Sequence, residues 1–332
     1  MKLLPLLLPL FLVLCVHMAK GQNEEPPVEQ LPFRKISEEE NKELNRICGK
    51  PRPSPRFRSN GPYGFIDQFP WVAVAEMEDH ARLCTFSLIS RRHALTAAHC
   101  VVNKTSGKDW PVQSYWLNGP RWLAYGGDCH FPPDPHMIEE NGCVVDTMKR
   151  TKIRTAIRND QYPRHRNAIS DIAIVELEKD ISLDDFVPIC MPTADSNSPS
   201  WGAMPGFGYT NRTDGSIGFQ PHLRYVTGEL IEVKEPDHYF LFDTTFTKNK
   251  ATVMHGLVAT VRASPFNGDS GAPIVGWLTD DTRAIQFAVI STIGVVASDC
   301  DVRRYADWIC EMTGVCGVNW EKNDNEEQTA SP

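Results

Sequence analysis

Three short stretches of this chain carry a histidine, an aspartate and a serine in settings suited to acyl transfer. They are "LTAAHC" with His99, "DIAIVEL" with Asp171 and "GDSGAP" with Ser270. A serine hydroxyl is a weak nucleophile and needs a base within hydrogen-bond reach. Histidine titrates near neutrality, so it can take that proton and return it to a leaving amine. A buried carboxylate holds the imidazole in one tautomer and stabilises its protonated form. Asp171 suits that part because it precedes the apolar "IAIVEL", at the mouth of a strand heading into a core. Gly268 and Gly271 let the chain turn sharply around Ser270. The backbone N–H groups of Gly268 and Ser270 can then face a developing oxyanion, an effect of about 3–4 kcal/mol per donor.

Each stretch alone also has a plain structural explanation. "GDSG" makes an ordinary hairpin turn, His99 beside Cys100 suits a buried structural histidine or a metal ligand, and Asp171 can cap a strand. It is their joint occurrence in one chain that favours catalysis.

The elements that must position these residues are short strands. From Pro70 onward, "WVAVAEM", "CTFSLIS", "HALTAAHCV", "DIAIVEL", "HLRYVTGEL", "APIVGWL" and "IQFAVIST" are rich in β-branched and aromatic residues and separated by turns. This pattern predicts an all-β barrel or sandwich, closed by one helix over "VRRYADWICEM". Upstream, "SEEENKELNRIC" predicts a short helix capped by Ser37 with Glu40 three residues on. The following "GKPRPSPRFRSNG" reads as an extended, exposed linker open to proteolysis at Arg52, Arg56 or Arg58. The stretch "GPRWLAYGGDCHFPPDPHMIEENGCVVD" reads as a long insertion between strands, with Cys129 and Cys143 expected to brace it.

Composition narrows the function classes. The chain has 332 residues, 41% of them hydrophobic, and a net charge of -8, enough for one large or two small domains. No block of lysine and arginine stands out, which argues against a nucleic-acid partner. Lys2, the apolar run from Leu3 to Val16 and "AKG" at 19–21 form a secretory signal peptide with cleavage expected after Gly21. Pro5, Pro9 and the short run argue against a membrane anchor. Ten cysteines are encoded and Cys15 leaves with the signal. The remaining nine are an odd number, so one thiol is free or bonds another chain. There is no CxxC spacing and the histidines are scattered, so neither a metal nor another cofactor is expected. Asn103 and Asn211 head glycosylation sequons, and the acidic "NWEKNDNEEQTASP" is expected to be disordered.

The order of His99, Asp171 and Ser270 is that of the chymotrypsin arrangement. Cys84 sixteen residues before Cys100, "FPWVAVAE", "MPGFGYTN", "PICMP", "YADWICEM" and Ser291 in "VISTIG" also resemble the trypsin/chymotrypsin family of serine proteases, over about residues 59–315. The resemblance implies two perpendicular six-stranded antiparallel β-barrels with a C-terminal helix and a site in the cleft. It implies a Cys84–Cys100 bond around the histidine, and Ser291 hydrogen-bonded to the triad carboxylate. It also implies a Cys48–Cys190 bond that keeps a cut prosegment attached. The chain then divides into a signal (1–21), a propeptide (22–58), a protease domain (59–316) and a tail (317–332). The implied partners are a protein or peptide substrate, an activating protease and protein inhibitors, in an extracellular setting. "KISEEENKELNRICGK" is similar to the pre-domain segment of a nematode-type branch.

The chain departs from the family in two places. "SNGP" after Arg58 stands where Ile-Val-Gly-Gly is usual, with Asp269 as the partner for the new N-terminus. Ser59 fills an apolar pocket worse than isoleucine by about 1–3 kcal/mol, and a cut after Arg56, exposing Phe57, is the other candidate. Ser264, six before the nucleophile, is uncharged, which argues against a strong lysine or arginine preference and favours a chymotrypsin-like one. Phe266 replaces a usual cysteine whose partner is missing too, and Ile293 lies near a usual glycine, so the pocket is expected to be narrow. Cys300, Cys310 and Cys316 are left without assigned partners, a Cys310–Cys316 staple being one option. The competing expectation is a secreted trypsin-like binding or regulatory protein with little turnover.

Overall fold

The computed structural model describes residues 32–52, 64–77, 82–101, 122–130, 143, 145–162, 168–211, 217–219, 221–234, 238–244, 265, 267–277, 283–292 and 296–318. The upstream helix α1 spans Glu38–Ile47. The first set of strands is β1 (Val72–Glu76), β2 (Arg82–Leu88), β3 (His93–Thr96), β4 (Trp122–Tyr125), β5 (Lys149–Arg158) and β6 (Ala173–Leu177). They close into one antiparallel barrel in the order β1-β2-β3-β6-β5-β4. After it come β7 (Trp201–Gly206), β8 (Tyr209–Asn211), β9 (Ile217–Phe219), β10 (Arg224–Val233), β11 (Tyr239–Asp243), β12 (Pro273–Trp277), β13 (Ala284–Ile290) and β14 (Val296–Asp301). Six of these close a second barrel in the order β10-β11-β14-β13-β12-β7, while β8 and β9 pair apart from it. A 3-10 turn over Val302–Tyr305 leads into α2, Ala306–Thr313, which ends on Gly314 at φ 77°.

Closure removes the exposed edges that open sheets must protect. Strands such as β1 and β13 are buried at every position, because one face fills a barrel and the other packs against neighbouring elements. The two barrels meet where β1 approaches β7 and β2 approaches β12. Across that seam Ser87 Oγ donates to Gln286 Oε1 at 2.6 Å, both side chains fully buried. This is the expected way to bury polar groups at a packed interface.

Three expectations need correction. The stretch read as an insertion contains β4, whose four residues "WLAY" pair with β1 and β5; a strand that short between glycine and proline carries little periodic signal. β5, β7, β8, β9, β11 and β14 also lie outside the runs expected as strands. The linker is not exposed at its start: Gly49 is buried, donates to Pro188 O and accepts from Ala284 N–H. Its φ of 68° and the nearness of Ala284 O, which an added Cβ would crowd, explain a glycine there. Arg52 is held too, by Asp67 O and Leu183 O.

The upstream segment is therefore packed on the barrels. Ser37 and Glu40 form the expected reciprocal cap of α1. Arg34 and Arg154 converge on the fully buried Glu176. Ile36 N–H donates to Thr313 O, while Asn41 and Asn45 hold Cys316. Among the described residues four disulfides form, Cys48–Cys190, Cys84–Cys100, Cys129–Cys143 and Cys310–Cys316. Cys300 is the free thiol among them, buried at 0% exposure, and burial pushes its thiol pKa well up, so it is an inert side chain. Packing continues through Val318, which touches the second-barrel core.

Candidate active site

The site is assembled from the ends of strands. His99 sits in a 3-10 turn, Ala98–Cys100, directly after β3, and the Cys84–Cys100 bond pins that turn to β2. Asp171 follows a second 3-10 turn, Ala168–Ser170, and precedes β6. Because β3 and β6 pair, with Thr96 opposite Ala173, the two side chains are brought together. Asp171 Oδ2 lies 2.6 Å from His99 Nδ1, and Oδ1 accepts the His99 backbone N–H at 2.9 Å. Ser291 Oγ donates to Oδ2 at 2.5 Å. Asp171 is only 3% exposed, so three donors balance the desolvation of its charge. A proton on Nδ1 leaves Nε2 of His99 as a base.

Ser270 occupies the turn before β12. Gly268 and Gly271 flank the site with φ 89° and 81°, a region costly for residues with a Cβ. Thr85 fastens this turn to the first barrel: its N–H donates to Ser270 O at 2.9 Å and its Oγ1 to Gly268 O at 3.0 Å. A Cβ on Gly271 would come within 2.5 Å of Thr85 O. Gly271 and Ala272 donate their N–H groups to Ile290 O and Asp269 O. Among the described residues the N–H groups of Gly268 and Ser270 have no acceptor, and Ser270 Oγ makes no hydrogen bond to His99. Such contacts commonly tighten only with substrate in place.

Asp269 is buried, and Gly208 N–H donates to its Oδ1 at 2.9 Å. The glycines of "PGFG" let the backbone wrap this carboxylate, since a Cβ on Gly206 would stand 2.5 Å from Oδ1. Arg58, Ser264, Phe266, Ile293 and Asn103 lie outside the described residues, and Asn211 ends β8. Apart from Ser291, the sequence did not point to the groups that support Asp171 from behind. Tyr305 Oη donates to Ile169 O at 2.8 Å and Cys300 Sγ lies 3.2 Å from the same oxygen. Tyr305 heads the recognised "YADWICEM", which is the only sign the sequence carried. Cys84, His99 and Cys100 come close enough to resemble a metal cluster, as do Cys129, Cys143 and His222, but those sulfurs are tied in disulfides. Glu232, His238 and Asp301 also cluster, and Arg303 fills that space by pairing with both acids.

Two closed six-stranded barrels with a C-terminal helix are the trypsin-like fold. The trypsin family model matches residues 138–309, and the model of the nematode trypsin-6-like family matches residues 28–130. The chain is 30% identical over 270 residues to the CLIP domain-containing serine protease B14 of Anopheles gambiae, covering 74% of this chain and 68% of that protein. It is 28% identical over 220 residues to the B9 protease of the same organism, covering 63% of this chain and 51% of that protein. With serine protease ea of Drosophila melanogaster it shares 33% over 135 residues, 38% of this chain and 32% of that protein. The matched part thus spans about half of the B9 protease and about a third of serine protease ea. The chain belongs to the trypsin family of serine proteases. No helix among the described residues is long and apolar enough to cross a membrane.

Proposed function

We propose that this chain is a secreted serine endopeptidase, made as a zymogen, which cleaves peptide bonds through an acyl-enzyme. The observation that carries the reading is the Asp171 carboxylate, buried and held by His99 and Ser291 beside a serine in a left-handed glycine turn. Ser270 Oγ attacks the substrate carbonyl carbon as His99 Nε2 takes its proton. The carbonyl oxygen becomes an anion facing the N–H groups of Gly268 and Ser270. Collapse breaks the C–N bond, and the amine leaves with the proton from His99. Water then attacks the ester by the same route in reverse roles, freeing the acid and Ser270. No metal or organic cofactor takes part in these steps.

The test is labelling by a fluorophosphonate, which reacts with an activated serine. After limited proteolysis the wild-type chain should be labelled and Ser270→Ala should not. Equal labelling of both would remove Ser270 as nucleophile, and no labelling of either would favour a binding or regulatory role.

Activation by an outside protease, at Arg58 or Arg56, should yield two chains joined by Cys48–Cys190. On gels the cut protein should keep its size without reductant and lose a short fragment with it. An unchanged reduced mass would sink this assignment. The signal at 1–21 and sequons at Asn103 and Asn211 agree with an extracellular protein acting on protein or peptide substrates under protein inhibitors.

A further inference from the structure

Thr85 carries a buried hydroxyl that the reaction above does not use. It lies on β2, opposite Val74 of β1, and is 0% exposed. Its side chain reaches across the seam where β2 approaches β12. Oγ1 donates to Gly268 O at 3.0 Å and accepts the Phe207 N–H at 3.4 Å. The Thr85 N–H holds Ser270 O at 2.9 Å, and its carbonyl accepts from Thr96 Oγ1 at 3.1 Å, at the end of the strand that leads to His99.

These contacts grip the turn that carries the two proposed oxyanion donors. Ser270 N–H belongs to the Asp269–Ser270 peptide, which lies between the two carbonyls that Thr85 holds. Gly268 N–H belongs to the Asn267–Gly268 peptide, whose carbonyl accepts the Tyr209 N–H at 2.6 Å. Gly268 has φ 89°, and an added Cβ would stand 3.1 Å from Gly208 Cα, so only glycine suits this place. The freedom that admits glycine also leaves the direction of its N–H to be fixed by neighbours. One flanking peptide is held by Tyr209 and the other by the Thr85 hydroxyl. A valine would fill the space of Thr85 and keep its backbone bonds. It would leave Gly268 O and the Phe207 N–H without the hydroxyl in a buried seam.

We propose that Thr85 is a positioning residue for the oxyanion hole. Its hydroxyl, set between the Phe207 N–H and Gly268 O, aims the N–H groups of Gly268 and Ser270 at the oxygen that gains charge. It acts through those donors and not on the substrate. Phe207 stands between the two glycines that wrap Asp269, so the same hydroxyl ties that wrap to the nucleophile turn. Such donors stabilise the transition state only if they are in place before the charge forms. The inference rests on the protease reading.

The experiment compares wild type, Thr85→Val and Thr85→Ser as full chains after limited proteolysis, by the rate of fluorophosphonate labelling across pH. The phosphoryl oxygen gains negative charge as Ser270 attacks, so the rate reads the oxyanion donors as well as the nucleophile. Thr85→Val should lower the plateau rate about ten- to a hundredfold. It should still label to completion and keep the wild-type pH midpoint, because His99 and Asp171 are untouched. Thr85→Ser, which keeps the hydroxyl, should restore the rate; Thr85→Ala serves if the valine variant is not secreted. A hydroxyl-free variant as fast as wild type, a moved midpoint, or a serine variant as slow as the valine one overturns the inference. If wild type labels and the variants match it, only this inference falls. If wild type never labels, the protease reading falls, and amide exchange decides the positioning alone. Exchange at Tyr209 and Ala272 should then rise in Thr85→Val and return in Thr85→Ser, with β13 unchanged in both. Equal exchange in all three chains, or a rise that includes β13, refutes it.

Discussion

Asp171→Asn is expected to lower kcat for peptide hydrolysis by about ten-thousandfold while the protein still folds, a magnitude set by the same replacement in another serine protease triad. The present geometry explains why the loss should be that large. Asp171 accepts from three donors: the His99 backbone, His99 Nδ1 and Ser291 Oγ. An asparagine keeps one acceptor oxygen and gains an NH2. If that NH2 faces His99 Nδ1, the ring must accept there and carry its proton on Nε2, where it cannot take one from Ser270. If it faces the His99 backbone N–H instead, two donors oppose each other in a buried site, at a cost of about 1–3 kcal/mol. The first arrangement is the cheaper, since Ser291 can rotate its hydroxyl, so the loss should fall on kcat rather than on folding. Urea unfolding and steady-state kinetics on one preparation separate the two effects. A variant within tenfold of wild-type kcat would remove Asp171 from its role.

What the sequence made legible was whatever lies in short, local patterns. "LTAAHC" and "DIAIVEL" each combine a reactive side chain with the strand that carries it, so motif and position arrive together. Cys129 and Cys143 are separated by 14 positions, which local reasoning can reach. The capping box of α1 is local as well. The less legible parts depend on distant partners. β5, "KRTKIRTAIR", has an exposed and half-buried first part and a buried second, so no single period runs through it. β4 is recognisable only by its pairing with β1 and β5. In "VASDCD" nothing distinguishes Asp299 from Asp301, because only the reach of Arg303 makes one satisfied and the other not. Gly49 looked like the start of a linker because its partners, Pro188 and Ala284, are far away in the chain.

The same long-range packing should make the fold sensitive to acid, through His93. This side chain on β3 is 0% exposed, with Phe33 of the upstream segment stacked at 6.1 Å between ring centroids. Nδ1 meets Ser90 Oγ at 2.9 Å, and Nε2 makes no well-formed hydrogen bond, with the Arg34 backbone its nearest polar neighbour. Burial, reinforced by the charges of Arg92 and Arg34 and opposed by Asp180 and by the nearby Arg34 backbone, lowers its pKa from the ordinary 6.5 to about 3. Below pH 6.5 the unfolded chain therefore binds a proton that the folded chain refuses, and stability falls as the pH falls. The contribution is complete above 6.5 and is lost toward 3, at up to about 1.4 kcal/mol per pH unit. Glu76 behaves differently. Burial would raise it, but His130 and Arg150 more than offset that and hold it at about 2, so its share is lost only below its ordinary 4.5. Between pH 6.5 and 4.5 His93 should thus remove about 2–3 kcal/mol. Asp299, whose carboxyl burial raises, titrates with the opposite sign in the same window, so the loss is read as the difference between wild type and His93→Gln in urea unfolding at pH 7, 6, 5 and 4.5, a difference that should shrink by that amount as the pH falls. Because Phe33 covers the ring and Arg34 anchors beside it, amide exchange at Arg34 and Ile36 should rise before exchange in the barrels does. Parallel curves for the two proteins over that window would show that His93 does not set the acid limit.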